Sequence, residues 1–373
     1  MAGTGRLHEL GRVALEEPRL LSRALAHLDN VQIAAQLDVM DVGAQDLVLH
    51  ALGGGRRPSV LEHMRLESAA SIVARIAPDD AAAILEELEL DDITDILPQL
   101  EPERLRDLLS RFNPDDLEEV EELLTYDPAT AGGLMTPETV SVRDEATVGE
   151  ALRTVQQTEE LPDQVFYVYV VDEDERLVGV TSLRMLVTRN PDIPVREVMR
   201  TSLVSVTVDT DQEDVAHIVS RYDVVSVPVV DGQGALLGVV TVDDVVDVLR
   251  EEATEDILKM AGAGEAITDT QTFGTSFRAR LPWLMGAAFG GLLVAVTLSG
   301  FEEALRAVPV LALFMPVVAG MGGNVGTQSS TIVVRGLAVG YVNREMLRSL
   351  VMREVSLGAL LGVGTGLAVS SAA

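Results

Sequence analysis

Three stretches of this chain, residues 281–300, 307–334 and 355–373, contain no charged side chain. At 1.5 Å per residue, about 20 residues of helix cross a hydrocarbon core of roughly 30 Å, so each stretch is long enough to span a membrane. Three spanning helices are therefore predicted. Arg278 and Arg280 precede the first stretch, Glu302, Glu303 and Arg306 lie between the first and second, and Arg335, Arg344, Arg348 and Arg353 lie between the second and third. The excess of Arg places everything before the first span, and the second connection, in the cytoplasm. The third stretch stops at "AVSSAA" without a basic anchor or polar tail, which leads us to expect a membrane domain larger than these three spans.

The rest of the chain is of a different kind. The 373 residues carry a net charge of −31, but from residue 274 onward seven Arg and four Glu give +3, leaving −34 on residues 1–273. An acidic soluble part of this size repels nucleic acid and attracts cations. With no Cys, thiolate metal sites, disulfides and Cys nucleophiles are excluded. Five scattered His and no nucleophile motif offer no catalytic constellation, so an enzyme is not expected. The start, "MAGTGRLHEL", lacks the basic region and apolar core of a secretory signal.

From Leu66 the sequence repeats in twelves: LESAASIVARIA, PDDAAAILEELE, LDDITDILPQLE, PERLRDLLSRFN, PDDLEEVEELLT. Apolar residues favour columns 4, 7, 8 and 11, which is one face of a helix. Pro78, Pro102 and Pro114 followed by Asp or Glu are helix-start signals. Helices of about two turns cannot stand alone, so the copies are predicted to stack into a small solenoid with acidic helix starts along one edge. A helical bundle whose acids are merely solvated is the alternative.

A second repeat follows. "MTPETVSV" at 135–142 returns as "MRTSLVSV" at 199–206, and "YVVDEDERLVGV" at 169–180 returns as "PVVDGQGALLGV" at 228–239, the first copy holding five extra residues around "TEELPD". Each copy reads as a short strand, an amphipathic helix, two strands around an Asp-containing turn and a further helix. This resembles a tandem pair of CBS domains, a family that often binds adenine nucleotides. The family's Ser or Thr followed three residues later by Asp is kept as Thr241 and Asp244 but becomes Ser182 and Met185 in the first copy. The resemblance therefore implies at most one nucleotide site, ATP being the ligand it suggests.

The most charged segment is "TVDDVVDVLREEATEDILKM" at 241–260, where Asp244, Asp247, Glu251 and Glu255 share one helix face, Glu252 and Asp256 lie beside them, and Arg250 and Lys259 oppose them. Like-charged i, i+4 pairs destabilise by about 0.2–0.5 kcal/mol each, which cations or water must relieve. Mg²⁺ suits such a face because it is held by one or two carboxylates while keeping several waters. Asp211, Glu213 and Asp223 add acids that the fold can bring near; a solvated acidic face is the other reading. Within the second apolar stretch, "GMGGNVGTQSS" at 320–330 sets Asn324, Thr327, Gln328, Ser329 and Ser330 among four glycines. Polar groups in a span face a bundle interior or a water-filled path, and neutral oxygens suit outer-shell contact with hydrated Mg²⁺. Close helix packing by small residues is the alternative.

The order of acidic helical repeat, CBS pair, "VTVDDVVDVLREEATEDILKMAG" and "PVVAGMGGNVGTQSSTIVVRGLAVG" resembles the MgtE family of bacterial magnesium channel-transporters over nearly the whole chain. The resemblance implies a homodimer in the bacterial inner membrane, multi-pass, with cytoplasmic domains that sense Mg²⁺ and close a central pore through a plug helix. It implies cytosolic Mg²⁺ ligands at Asp211, Glu213, Asp223, Asp244, Asp247, Glu252, Glu255 and Asp256, a further carboxylate among Asp91, Asp92 and Asp95, and pore-lining Asn324, Thr327 and Gln328. Family members commonly carry Asn where this chain has Thr327, and their five-helix bundle bears an acidic pore residue on its last helix, beyond Ala373.

The fold class expected is multidomain: an all-α helical-repeat domain (1–130), α/β tandem CBS domains (131–250), a connecting plug helix (251–280) and an α-helical transmembrane domain (281–373). The function expected is a Mg²⁺-selective channel or transporter gated by intracellular Mg²⁺, with Mg²⁺ both regulator and cargo, and with membrane lipid and a second copy as partners. The alternatives are a truncated sensor that does not transport and a nucleotide-responsive CBS protein with a membrane anchor.

Overall fold

The computed structural model describes residues 9–16, 18–158, 166–262, 273–338 and 344–372. It divides into two compact units, 1–245 and 246–373. The first unit opens with ten short helices: α1 (Glu9–Glu16), α2 (Pro18–Leu25), α3 (Asn30–Leu37), α4 (Val42–Ala51), α5 (Arg57–Glu62), α6 (Leu66–Arg75), α7 (Pro78–Leu85), α8 (Leu90–Ile96), α9 (Pro102–Leu109) and α10 (Pro114–Leu123).

Helices begin at 66, 78, 90, 102 and 114, the twelve-residue step of the sequence, and the same step runs back through 54, where a 3₁₀ turn precedes α5, to 42, 30 and 18. The repeat is thus longer than the sequence pattern disclosed. Polar residues in apolar columns hid the earlier copies. Gln36 and Gln45 are buried at core columns, where Gln36 Oε1 accepts from the Leu10 amide at 3.3 Å and Gln45 Nε2 donates to Leu37 O at 2.9 Å. A buried amide with its partners made costs little, so the column tolerates it. Elsewhere the columns are apolar and buried, as at Ile33, Leu37, Val60, Leu61, Ile72, Val73, Ile84 and Leu85.

Helices alternate between two rows, α3, α5, α7 and α9 in one, α6, α8 and α10 in the other. Helices this short leave most C-terminal carbonyls orphaned. Arginines at a repeated position satisfy them. Arg56 donates to Leu25 O and Leu28 O at 3.1 and 2.8 Å, and Arg104, in the same column four repeats on, donates to Val73 O and Ile76 O, both at 2.7 Å.

Past α11 (Ala131–Leu134), the two CBS copies are built alike: β1 (Ser141–Arg143), α12 (Val148–Gln157), β2 (Tyr167–Val171), β3 (Leu177–Ser182) and α13 (Leu183–Thr188); then β4 (Val206–Thr207), α14 (Gln212–Tyr222), β5 (Ser226–Val230), β6 (Leu236–Thr241) and α15 (Val242–Met260). Each sheet has three strands, the first pair parallel and the second antiparallel, with a bulge at the same place, Val170/Val171 and Val229/Val230. The lead segment of each copy joins the other's sheet: Thr136 bridges Val239, and Arg200 bridges Val180. The hairpin turns pair too, through Leu177 N to Gly234 O at 3.0 Å and Leu236 N to Glu175 O at 3.3 Å. Residues 159–165, which include most of "TEELPD", lie outside the described residues.

The second unit holds α16 (Phe273–Ser299), α17 (Glu302–Ala307), α18 (Leu311–Ala338) and α19 (Arg344–Ala372). Two windows, Ser276–Ser299 and Arg348–Ala368, are long and apolar enough to cross a membrane. The second of the three expected spans coincides with α18. α18 has the length, 28 residues, but Asn324, Thr327, Gln328, Ser329 and Ser330 dilute its hydropathy, and it is not one of the two. Boundaries also move. Arg278 and Arg280 lie within α16, Arg335 within α18, and Arg344, Arg348 and Arg353 within α19, so these residues are helical and not connecting. No helix break occurs at 250, where α15 runs on to Met260 because its i, i+4 pattern continues; of the expected plug segment, 263–272 lies outside the described residues and 273–280 belongs to α16.

Candidate functional site

The helical repeat and the second CBS copy are joined by backbone. Ala131 N donates to Thr210 O at 2.7 Å, Gly132 N to Val208 O at 2.9 Å, and Gln212 N to Ala129 O at 3.0 Å. Across this junction the first turn of α8 and the first turn of α15 bring acids together. Asp91 is only 9% exposed, Asp92 and Asp244 are half-buried, and Asp95 is exposed. Helix starts tolerate acids singly because the helix dipole favours negative charge there. Here the acids crowd.

Burial pushes the Asp91 carboxyl well above its ordinary 3.8, and Asp244, Asp92 and Glu89 push it further. Burial raises Asp92 to about 8, assisted by Glu62, Asp244, Glu89 and Asp95. Asp244 rises to about 7, again chiefly by burial, with Asp243 and Asp95 adding to it and Thr241 opposing. Every charged group that shifts these three carboxyls is another carboxylate. A low-dielectric pocket with several like charges holds protons or a cation. The donor set is all oxygen, which suits a hard divalent ion. Among the described residues no group of three or more His, Asp or Glu side chains is placed to hold a metal ion. Mg²⁺ is usually held by one or two carboxylates while it retains several of its waters.

Of the three aspartates between which the sequence could not choose, Asp91 and Asp92 are the more buried and both feel Asp244, while the exposed Asp95 acts on both Asp92 and Asp244. Glu62, Glu89 and Asp243 belong to the same electrostatic group and were not singled out from sequence. Glu62 ends α5, in a copy whose Arg57 at an apolar column concealed the repeat.

The other candidates are dispersed. Asp211 caps α14, its carboxylate accepting from Glu213 N at 2.9 Å, while Asp223 ends the same helix in the left-handed region at φ 50°. Eleven residues of helix lie between them, a rise of about 18 Å, so the two do not share an ion. Glu213 lies 3.7 Å from His217. Along α15, Asp247 pairs with Arg250 at 3.1 Å and Glu255 with Lys259. Glu252 is half-buried and raises Asp256, whose shift is due first to its own burial. Thr241 Oγ1 donates to Asp244 Oδ2 at 2.6 Å and also to Asp243, whereas Ser182 in the first copy accepts from the Met185 amide at 3.3 Å.

In the second unit Asn324, Thr327 and Gln328 are exposed, whereas Gly322, Gly326 and Ser329 line a cleft shared with α19. By helical spacing, Asn324 and Thr327 turn away from α19.

Known proteins place this arrangement. Three family models match in order: the MgtE intracellular N domain over 28–129, CBS domains over 131–190 and 195–251, and a divalent cation transporter model over 315–373. The magnesium transporter MgtE of Thermus thermophilus is 43% identical over 247 residues, covering 66% of this chain and 55% of that protein. MgtE of Bacillus subtilis is 40% identical over 244 residues, 65% of this chain and 54% of the relative. The chain spans about half the length of these curated relatives. A crystal structure of the cytosolic domain of the Mg²⁺ channel MgtE in complex with ATP superposes with a TM-score of 0.61 at 38% identity, over 65% of this chain and 99% of that one. With helical repeat, CBS pair and C-terminal helices each matched in sequence order, the chain belongs to the MgtE family.

Proposed function

We propose that this chain is the Mg²⁺-sensing part and a portion of the pore of a magnesium channel-transporter, acting as a homodimer in the bacterial inner membrane with 1–262 in the cytoplasm. The observation that carries the reading is the junction of Asp91, Asp92 and Asp244, three carboxyls held above their ordinary range by burial and by neighbouring carboxylates. When Mg²⁺ is scarce, closing the junction requires these carboxyls either to take up protons or to bear their mutual repulsion, and that cost loosens the helical repeat from the CBS pair. When it is abundant, the ion replaces the protons and draws the two together. An ion shifts an equilibrium only by its differential affinity for the two states, and a site completed by both domains supplies that difference. The acids of α15 at Asp247, Glu252, Glu255 and Asp256, and those of α14 at Asp211, Glu213 and Asp223, act as further weak sites. This role is non-enzymic.

One adenine nucleotide binds beside the sensor, at Thr241 and Asp244. The Thr241 hydroxyl is already turned to the Asp244 carboxylate, so nucleotide and cation meet at one side chain. The name of the structural relative, a complex with ATP, supports the same ligand class.

Cargo Mg²⁺ passes the face of α18 that carries Asn324, Thr327 and Gln328, as a hydrated ion in outer-shell contact with neutral oxygens. Mg²⁺ flux into vesicles holding the protein should fall at least tenfold on Asn324→Leu with insertion unchanged. Full flux in both Asn324→Leu and Gln328→Leu would remove these residues from the path.

A further inference from the structure

Glu354 is an acid that neither the sensor nor the polar face of α18 uses. It is 8% exposed and lies in α19 within Arg348–Ala368, one residue ahead of the charge-free stretch 355–373. The Arg-rich segment before it belongs on the cytoplasmic side, so Glu354 stands at the cytoplasmic edge of the apolar core. Ser329 Oγ of α18 donates to Glu354 Oε2 at 2.9 Å, while Oε1 accepts no hydrogen bond from the described residues. Arg353 Nη2 is 3.7 Å from Oε1, beyond hydrogen-bond range, and its side chain is 72% exposed. A buried carboxylate with one oxygen bare calls for a donor.

From this end a groove of about 470 Å³ runs between α18 and α19 as far as Val318 and Gly366. The rise along α19 from Glu354 to Gly366 is about 18 Å, close to one leaflet of a hydrocarbon core that is roughly 30 Å thick in all. Its walls are glycines and apolar side chains, with Glu354, Ser329 and Thr365 the exceptions. Glycines on paired helices commonly let the two backbones approach. These do not. A Cβ at Gly322, Gly326, Gly362 or Gly366 would meet nothing within 4 Å, and one at Gly358 only Val325, at 3.7 Å. The glycines therefore hold a groove open. Water fits it poorly, because Ser329 and Thr365 have spent their hydroxyl protons on Glu354 and on Leu361 O, and the other lining side chains but Glu354 offer no hydrogen bond. An acyl chain fits such walls. At the mouth, the bare carboxylate oxygen calls for a cation that donates, and the exposed guanidinium beside it calls for an anion. A primary ammonium linked to a phosphate answers both.

We propose that the groove between α18 and α19 holds one aminophospholipid of the cytoplasmic leaflet, its ammonium donating to Glu354 Oε1, its phosphate on Arg353 and one acyl chain lying along Gly358, Gly362 and Gly366. The proposal rests on the reading of this unit as membrane-spanning. It is tested by native mass spectrometry of the full chain released from micelles holding equal amounts of phosphatidylethanolamine, phosphatidylcholine and phosphatidylglycerol. The ethanolamine lipid should be retained at one per chain, about tenfold over the other two, the worth of one charge-assisted hydrogen bond. The choline lipid has a quaternary ammonium that cannot donate, and the glycerol lipid has no cation. Glu354→Gln should lose most of that preference. Gly362→Leu, which fills the groove from a position with open space, should lose the lipid while its helical circular dichroism stays unchanged. The chain has no Cys, so Gly362→Cys supplies a single thiol for a nitroxide, whose relaxation dissolved oxygen should quicken as it does in lipid. Equal retention of the three lipids, or retention unchanged in both Glu354→Gln and Gly362→Leu, overturns the proposal. So does a nitroxide shielded from oxygen, which assigns the groove to a packed helix. A chain that stays monodisperse without detergent overturns the membrane-spanning reading as well.

Discussion

Replacing Asp91, Asp92 and Asp244 together with Asn is expected to stabilise residues 1–262 in the absence of divalent ions, by on the order of 3 kcal/mol at pH 8, and to raise the thermal midpoint by about 6–12 °C. The sign follows from the raised carboxyls. Unfolded, each ionises near 3.8; folded, Asp92 holds its proton to about 8 and Asp244 to about 7. Between those limits the folded state binds more protons than the unfolded state, so stability falls as pH rises. That stability is fully present below 3.8 and is lost as pH passes through 7 and 8. Asn keeps the shape, including the acceptor that Asp91 offers to the Asp92 amide at 3.0 Å, and removes the charge. The gain should therefore shrink toward pH 5, where the aspartates are already neutral. Millimolar Mg²⁺ should stabilise the unsubstituted protein and leave the variant unmoved. Differential scanning fluorimetry across pH and Mg²⁺ checks all of this; an Asn variant less stable than its parent at pH 8 would show the acids to be structural partners.

The second large effect concerns the CBS pair. Gly238→Val is expected to destabilise by about 3 kcal/mol or more, a fall of roughly 10 °C in the midpoint. A Cβ there would lie 2.6 Å from Thr136 O, a backbone atom held in place by the Thr136 to Val239 ladder, and 3.1 Å from Met135 Sδ. Neither can retreat without opening the exchange of lead segments that joins the two copies. Gly179 is the matching position, against Met199. Gly232→Ala serves as the control, since nothing lies within 4 Å of the added carbon, and it should leave the midpoint unchanged. A neutral Gly238→Val in chemical denaturation would mean that the lead segments are not locked.

Much of this architecture was legible because the sequence repeats itself. Helix starts at 66, 78, 90, 102 and 114 follow directly from the twelve-residue step, and the 64- and 59-residue offsets anticipate two like sheets. What was not legible had a local physical cause. Gln36, Gln45 and Arg57 occupy apolar columns because each bonds a backbone carbonyl or amide, and a pattern based on hydropathy sees only an interruption. Glu354 escaped notice because a span was defined by the absence of charge, and α19 carries its charge inside the helix. The acidic junction was visible as an excess of acids, but its composition depends on which helix starts the fold brings together. Sequence gave no means to prefer Asp91 and Asp92 over Asp211 and Asp223, which prove to cap a helix at opposite ends.

The central claim, that a divalent ion replaces protons in the cluster of Asp91, Asp92 and Asp244, is tested most directly by counting the protons released. Titration calorimetry of Mg²⁺ into residues 1–262 at pH 7, repeated in buffers of different ionisation enthalpy, yields that number from the slope of observed heat against buffer enthalpy. With Asp92 near 8, Asp244 near 7 and Asp91 raised as well, about one to two protons per chain should leave as the ion binds, and none in the triple Asn variant. Binding with no proton release in the unsubstituted protein, or with equal release in the variant, would contradict it.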